Sequence, residues 1–185
     1  MVRNKFEIKA DRLHKQAGLL LKQTKLISQL RKFGRIEITG SYFMNLMSSN
    51  DIDVYVINPK MNKRMAIAAL EKLILSNQFR GHLFYDFTVH KHVGFPKGWY
   101  VGLKKRIRGQ KWKIDIWMIK KNVRPKLAIE MMTKTQRRRI LAIKNKRDSL
   151  NLKIPAWHIY KVVLEQDPAS GKILESAGLS ISSEK

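Results

Sequence analysis

Apolar positions recur at spacings of three, four and seven between residues 10 and 33, at Leu13, Ala17, Leu20, Ile27 and Leu30, with Lys and Arg on the other faces. That period predicts an amphipathic helix, closed at Phe33-Gly34 because glycine is common just past a helix terminus. The pattern then shortens. Arg35 to Thr39 reads as a strand, Gly40-Ser41 as a turn and residues 42 to 48 as a short helix; Asp51 to Ile57 reads as a second strand, closed by Asn58-Pro59. Lys63 to Leu75 returns to helical spacing through Met65, Ala68, Ala69, Lys72 and Ile74 or Leu75. Three β-prone segments follow: Leu83 to Val93, Trp99 to Ile107 and Trp112 to Ile119. Gly94 to Gly98 and Arg108-Gly109-Gln110 join them with turn chemistry, and connections this short favour antiparallel neighbours.

Beyond Arg124-Pro125 the spacing is helical again. Ile129, Met132, Gln136, Ile140 and Ile143 mark one stripe of a long basic helix containing Arg137-Arg138-Arg139. Ile154-Pro155 opens another helix, with proline at its favoured first position; it runs through Trp157 and Tyr160 to Glu165, and Asp167-Pro168 stops it. Lys172 to Ala177 reads as a last short helix and residues 180 to 185 as a frayed tail. The expected fold is α/β (α+β): a mixed, largely antiparallel sheet of about five strands with helices packed on one face, plus a small C-terminal helical appendage. The expected division is a core over residues 1–124 and a helical subdomain over 125–185.

Composition narrows the chemistry. The 185 residues carry 38 Lys and Arg against 14 Asp and Glu, a formal charge of +24, which predicts attraction to polyanions. No cysteine is present, so disulfides, thiolate nucleophiles and Cys-based zinc sites are excluded. No run approaches the ~18 apolar residues of a membrane span, so a cytoplasmic protein with no membrane partner is expected.

The candidate chemistry centres on Gly40-Ser41, a nine-residue gap, and Asp51-Ile52-Asp53. On a strand, residues i and i+2 share a face, so Asp51 and Asp53 sit side by side. Carboxylates that close repel unless a cation lies between them, and a divalent metal is the usual answer. The glycine-marked turn offers backbone N–H groups to a phosphate. Asp115, in Lys113-Ile114-Asp115-Ile116-Trp117, is a lone acid in an apolar strand and needs solvent or a cation. If its strand lies beside Asp51 to Ile57, the three carboxylates can hold two Mg²⁺ ions about 3.5–4 Å apart.

Gly-Ser, Asp-x-Asp and a later hydrophobic-Asp-hydrophobic strand, in this order over residues 10 to 120, resemble the DNA polymerase β-type nucleotidyltransferase superfamily. The helical tail with Trp157-His158-Ile159-Tyr160 is similar to the appendage of minimal and antibiotic-modifying members. The resemblance implies transfer of a nucleoside monophosphate from an NTP, with ATP expected, to an acceptor hydroxyl with release of pyrophosphate. It also implies roles. Gly40 and Ser41 would bind the triphosphate, Asp51 and Asp53 both Mg²⁺ ions, and Asp115 the catalytic metal and the attacking hydroxyl. Family acceptors include RNA, proteins and small molecules; the charge favours RNA or an acidic protein. One departure stands out: many minimal members carry an arginine just after Gly-Ser, and this chain reads Tyr42-Phe43-Met44-Asn45. Lys104, Lys105 or Arg106 would have to meet the phosphate charge instead. The alternative is a non-catalytic basic nucleic-acid-binding module on a degenerate scaffold.

Several other residues have plainer readings. Ser41 also suits a cap for the helix after it, Asp86 a surface ion pair, and Arg137-Arg138-Arg139 a solvated helix face. Trp99, Tyr100, Trp112 and Trp117 suit sheet packing. His90 and His92 share a strand face but lack a further ligand, and His14 and His158 are helix residues.

Overall fold

A computed structural model describes residues 4–89, 95–121 and 132–165. Two compact units divide them. The first draws on the described residues within Met1–Leu13, Met44–Ser49 and Arg124–Lys185; the second comprises those within His14–Phe43 and Asn50–Val123.

The second unit holds a five-stranded mixed sheet ordered β1-β2-β5-β4-β3: β1 is Arg35–Thr39, β2 Asp51–Ile57, β3 Gly81–Asp86, β4 Gly98–Ile107 and β5 Gln110–Ile119. All pairings are antiparallel except β2 with β5, so the expected mixed, largely antiparallel α/β sheet is what the chain forms. One face carries Ile52, Val54, Val56, Val101, Leu103, Ile114, Ile116 and Met118, all fully buried. The helices of this unit bury Ala17, Leu20, Leu26, Leu30, Ala66, Ala69 and Leu73. Burying each of these Leu, Ile, Val and Met side chains contributes roughly 1.5–3 kcal/mol. The other face carries Tyr55, Ile57, Tyr100, Trp117 and Ile119, with Phe87 packed on them. This is the face that also presents Asp51, Asp53 and Asp115.

Helix boundaries differ from the periodicity reading for local reasons. The first helix, α1, spans Lys5–Thr24, not 10–33. It starts early because the Asn4 side chain accepts from the Phe6 and Glu7 amides while Glu7 accepts from the Asn4 amide, a reciprocal cap. Lys25, in the left-handed region at φ 50, breaks it, and α2 (Leu26–Leu30) resumes with Leu26 in the core and not Ile27. The short helix α3 is only Gly40–Phe43, and Asn45 at φ 49 prevents its extension to residue 48. Helix α4 keeps the expected Lys63–Leu75 and is capped by the Asn62 side chain on the Met65 amide at 3.0 Å. Its buried stripe is Ala66, Ala69 and Leu73; of the expected set Ala69 is buried, Met65, Ala68 and Lys72 are half-buried, and Ile74 and Leu75 are exposed. Strand β3 ends at Asp86, where residues 87–89 turn; the expected continuation to Val93, with His90 and His92, lies outside the described residues.

The first unit is mostly helical where it is described, Met44–Ser49 being a non-helical stretch. Its core joins Ala10, Met44 and Leu46 to Ile140, Leu141, Ile159, Tyr160, Val163 and Leu164. Helix α5 is Lys134–Ser149, begun by a Thr133–Gln136 capping box, and α6 is Ala156–Glu165, starting directly after Pro155. Met132, Gln136 and Ile140 are buried as expected, but Ile143 is exposed and Lys144 takes its place inside. The Lys144 ammonium donates to the Leu46 carbonyl at 2.6 Å and the Tyr160 hydroxyl at 3.2 Å, which offsets the cost of burying it. Arg137 and Arg138 are not a solvated face. Arg137 donates to the Met44 carbonyl at 2.9 Å and Arg138 to Glu7 at 3.1 Å. Ile129, the helix at Lys172 to Ala177 and the tail from 180 lie outside the described residues. Among the described residues no helix is long and apolar enough to cross a membrane.

Candidate metal centre

Register places the three acids. Within β2 the pleat sends Asp51 and Asp53 to one face; the parallel pairing sets Asp51 opposite Lys113 and Asp53 opposite Asp115. One carboxylate oxygen from each of Asp51, Asp53 and Asp115 lies within 4.8 Å of the others, and Asp115 is only 9 % exposed. Among the described residues this is the one group of three acidic or histidine side chains with metal-holding reach.

Asp115 is fixed from two sides. The Tyr100 hydroxyl donates to its Oδ1 at 2.6 Å and the Lys113 ammonium to its Oδ2 at 2.6 Å. Gly102 makes the tyrosine contact possible, because a Cβ there would stand 2.6 Å from the Tyr100 hydroxyl. Burial first, then the hydrogen bond to Asp115 and the charges of all three aspartates, push the Tyr100 hydroxyl far above its ordinary pKa. It therefore remains a donor at any working pH. For Lys113, burial pulls the pKa down, but Asp115, with Asp51 and Asp53 behind it, outweighs that and raises it. A raised lysine pKa gives stability that is complete below the ordinary value of 10.5 and is lost only as pH rises through the raised one. Around neutral pH this contribution is constant.

The glycine turn abuts the acids. Thr39, the last residue of β1, pairs with Asp53, and Gly40 at φ +66 swings the chain into α3. A Cβ on Gly40 would overlap the Asp53 Oδ2 and stand 3.0 Å from its Cγ, so only glycine lets the turn come this close. Ser41 lies in the first turn of α3. The Tyr42 ring stacks on His14 at 4.5 Å, and its carbonyl lies 3.0 Å from the His14 Nδ1, which ties α3 back to α1.

Three hard carboxylate oxygens in this spacing could hold a metal ion. No family model matches the chain, and no curated protein does.

The remaining sequence candidates separate by face. Asp86 pairs with Trp99 in register and so points to the opposite face from the triad. It ion-pairs with Lys63 at 3.3 Å, and the Thr88 hydroxyl and amide hold it, lowering its pKa to about 2. Lys105 also faces away, donating to the Gln78 carbonyl at 2.7 Å. Lys104 and Arg106 share the triad's face. Trp99, Tyr100, Trp112 and Trp117 are at most 8 % exposed and pack the sheet as expected.

Two residues of the site were missed in the sequence: Tyr100, read there only as sheet packing, and Lys113. For Lys113 the signal was present, since a lysine two positions before a strand aspartate shares its face. Its side chain is 53 % exposed, so its bridge to Asp115 is worth about 0.2–1 kcal/mol. It leans on an oxygen that a divalent ion would use. Lys113→Met keeps the stem and removes the charge, so Mn²⁺ should bind up to about fivefold tighter by calorimetry. The metal-free protein should melt a few degrees lower. Weaker Mn²⁺ binding in the variant would mean that Lys113 organises the acids and does not compete for them.

Proposed function

We propose that the protein is a Mg²⁺-dependent nucleotidyltransferase moving a nucleoside monophosphate from an NTP, with ATP expected, to an acceptor hydroxyl. The observation that carries this reading is the convergence of Asp51, Asp53 and Asp115 beside the Gly40-Ser41 turn. In the reaction the acceptor oxygen bonds to the α-phosphorus, the bond to pyrophosphate breaks, and the hydroxyl proton must leave. Asp51 and Asp53 would hold both metal ions, and Asp115 would hold the catalytic one. When bound, Mg²⁺ supplies charge neutralisation on the phosphates and acidifies the attacking hydroxyl.

The protein's own residues do the rest. The Asp115 carboxylate orients the acceptor hydroxyl and takes its proton, with Tyr100 fixing its rotamer. The Ser41 hydroxyl and the amides of the turn bind the departing phosphates, and glycine at 40 lets them approach. Adding Mg²⁺ and α-labelled ATP, with candidate acceptors, should release pyrophosphate and move the label; a chelator should stop both. No release with any NTP would sink the reading.

A second reading is a nucleic-acid-binding module that does not turn over. The sequence Tyr42-Phe43-Met44-Asn45, with no arginine after Gly40-Ser41, favours it. It predicts RNA binding that is indifferent to NTP and Mg²⁺.

A further inference from the structure

The antiparallel register of β4 and β5 sets Lys104 opposite Lys113 and Arg106 opposite Lys111. All four lie on the face that carries Asp115, and all four are exposed. Like charges directly opposed across a sheet are destabilising. Lys113 is relieved by Asp115. Among the described residues Lys104, Arg106 and Lys111 have no acidic partner within ion-pair distance. The two rows stand about 7 Å apart along the hairpin, two residues of antiparallel strand rise. They lead from the triad to the turn at Arg108-Gly109.

The opposite end of the same face is aromatic. Tyr85 pairs with Tyr100 in register and is 52 % exposed, and Phe95, 56 % exposed, stacks on Phe87 and Trp117. Basic rows on one side of the acids and open rings on the other suit a chain that carries both regular negative charge and flat bases. An acidic peptide uses only the first.

We propose that the β4–β5 hairpin is a single-stranded nucleic-acid track, in which Lys104, Arg106 and Lys111 follow the phosphates and bring a strand end to the triad. This deepens the nucleotidyltransferase reading by naming its acceptor class. Binding without metal or nucleotide tests the track separately from turnover. Arg137 and Arg138 are engaged in internal contacts, whereas the hairpin bases are open.

The test uses the full chain and a short fluorescein-labelled single-stranded RNA, followed by anisotropy over a salt series without Mg²⁺. The variant Lys104→Gln/Arg106→Gln/Lys111→Gln spares Lys113 and should bind at least tenfold more weakly at low salt. Its slope of log affinity against log salt should be shallower by about two, at ~0.7 for each single-strand phosphate that the protein no longer neutralises. The charge-keeping variant Lys104→Arg/Arg106→Lys/Lys111→Arg should restore both, which guards against a folding defect.

A control of equal charge, Lys22→Gln/Lys60→Gln/Arg64→Gln, should leave most of the affinity. An equal loss in this control would overturn the track in favour of diffuse charge. So would no RNA binding by the native protein at low salt. Displacement of the RNA by polyglutamate as readily as by unlabelled RNA would overturn it in favour of an acidic protein partner. If the track variant loses RNA while no NTP is ever turned over, the track stands and the catalytic reading falls.

Discussion

Asp53→Asn is expected to lower nucleotidyl transfer by at least about a thousandfold, roughly 4 kcal/mol of transition-state stabilisation, and at the same time to make the metal-free protein more stable. The two signs come from one electrostatic arrangement. Three carboxylates with oxygens within 4.8 Å repel one another, by roughly 1–3 kcal/mol per pair between the water and protein-surface limits. Neutralising Asp53 removes two such repulsions along with the attractions that Asp53 makes, that of Lys113 on the neighbouring Asp115 included. The expected sign is that the repulsions outweigh those attractions, visible as a rise in melting temperature. Mg²⁺ should then add little further stability, whereas it should raise the melting point of the native protein. The expected pattern is therefore abolished activity, a higher metal-free melting point and no stabilisation by metal, all in one variant. An Asp53→Asn protein that keeps its activity removes the catalytic assignment. One that melts lower in the absence of metal shows that Asp53 is held by partners worth more than the repulsion.

How much of this was open to reading in the sequence depended on the range of the interaction. The strands at Arg35–Thr39 and Asp51–Ile57, and the pleat that puts Asp51 beside Asp53, are local and follow from alternation alone. The antiparallel pairing of β4 with β5 was also legible, because the short link at Arg108-Gly109 forces it. That β5 lies next to β2, and parallel to it, was not: the two are separated by α4, β3 and β4, and nothing in Trp112 to Ile119 names its partner. The convergence of Asp115 on the other two acids was for that reason a conditional statement in the sequence. Lys144 and Arg137 were hidden for a different reason. Long basic side chains bury their stems while their heads find carbonyls, and a charge on a helix looks the same in sequence whether it meets water or the Leu46 and Met44 oxygens. The early start of α1 was readable from Asn4-x-x-Glu7, a capping signal that lies outside the apolar period.

Gly40→Ala is the substitution expected to separate the turn's two jobs. An alanine at φ +66 costs roughly 1–2 kcal/mol, equivalent to a fall of about 2–8 °C in melting temperature. The larger effect is steric. The new methyl would overlap the Asp53 Oδ2 and crowd its Cγ and Cβ, at 3.0 and 3.2 Å. Asp53 cannot retreat along the chain, since its backbone is paired with Thr39 on one side and Asp115 on the other. The carboxylate must turn away or the turn must open. Turning away takes one ligand from the metal, so Mn²⁺ affinity should fall at least tenfold while the circular dichroism of the sheet is kept. Opening the turn would leave Mn²⁺ affinity intact and weaken only the binding of the Mg²⁺ complex of inorganic triphosphate. Ser41→Ala is the comparison that decides between them, because it removes the hydroxyl without touching Asp53. It should leave Mn²⁺ binding unchanged and weaken triphosphate alone. Should Gly40→Ala bind both Mn²⁺ and triphosphate like the native protein, the closeness of this turn to Asp53 has no part in the site, and Gly40 is there only to bend the chain out of β1.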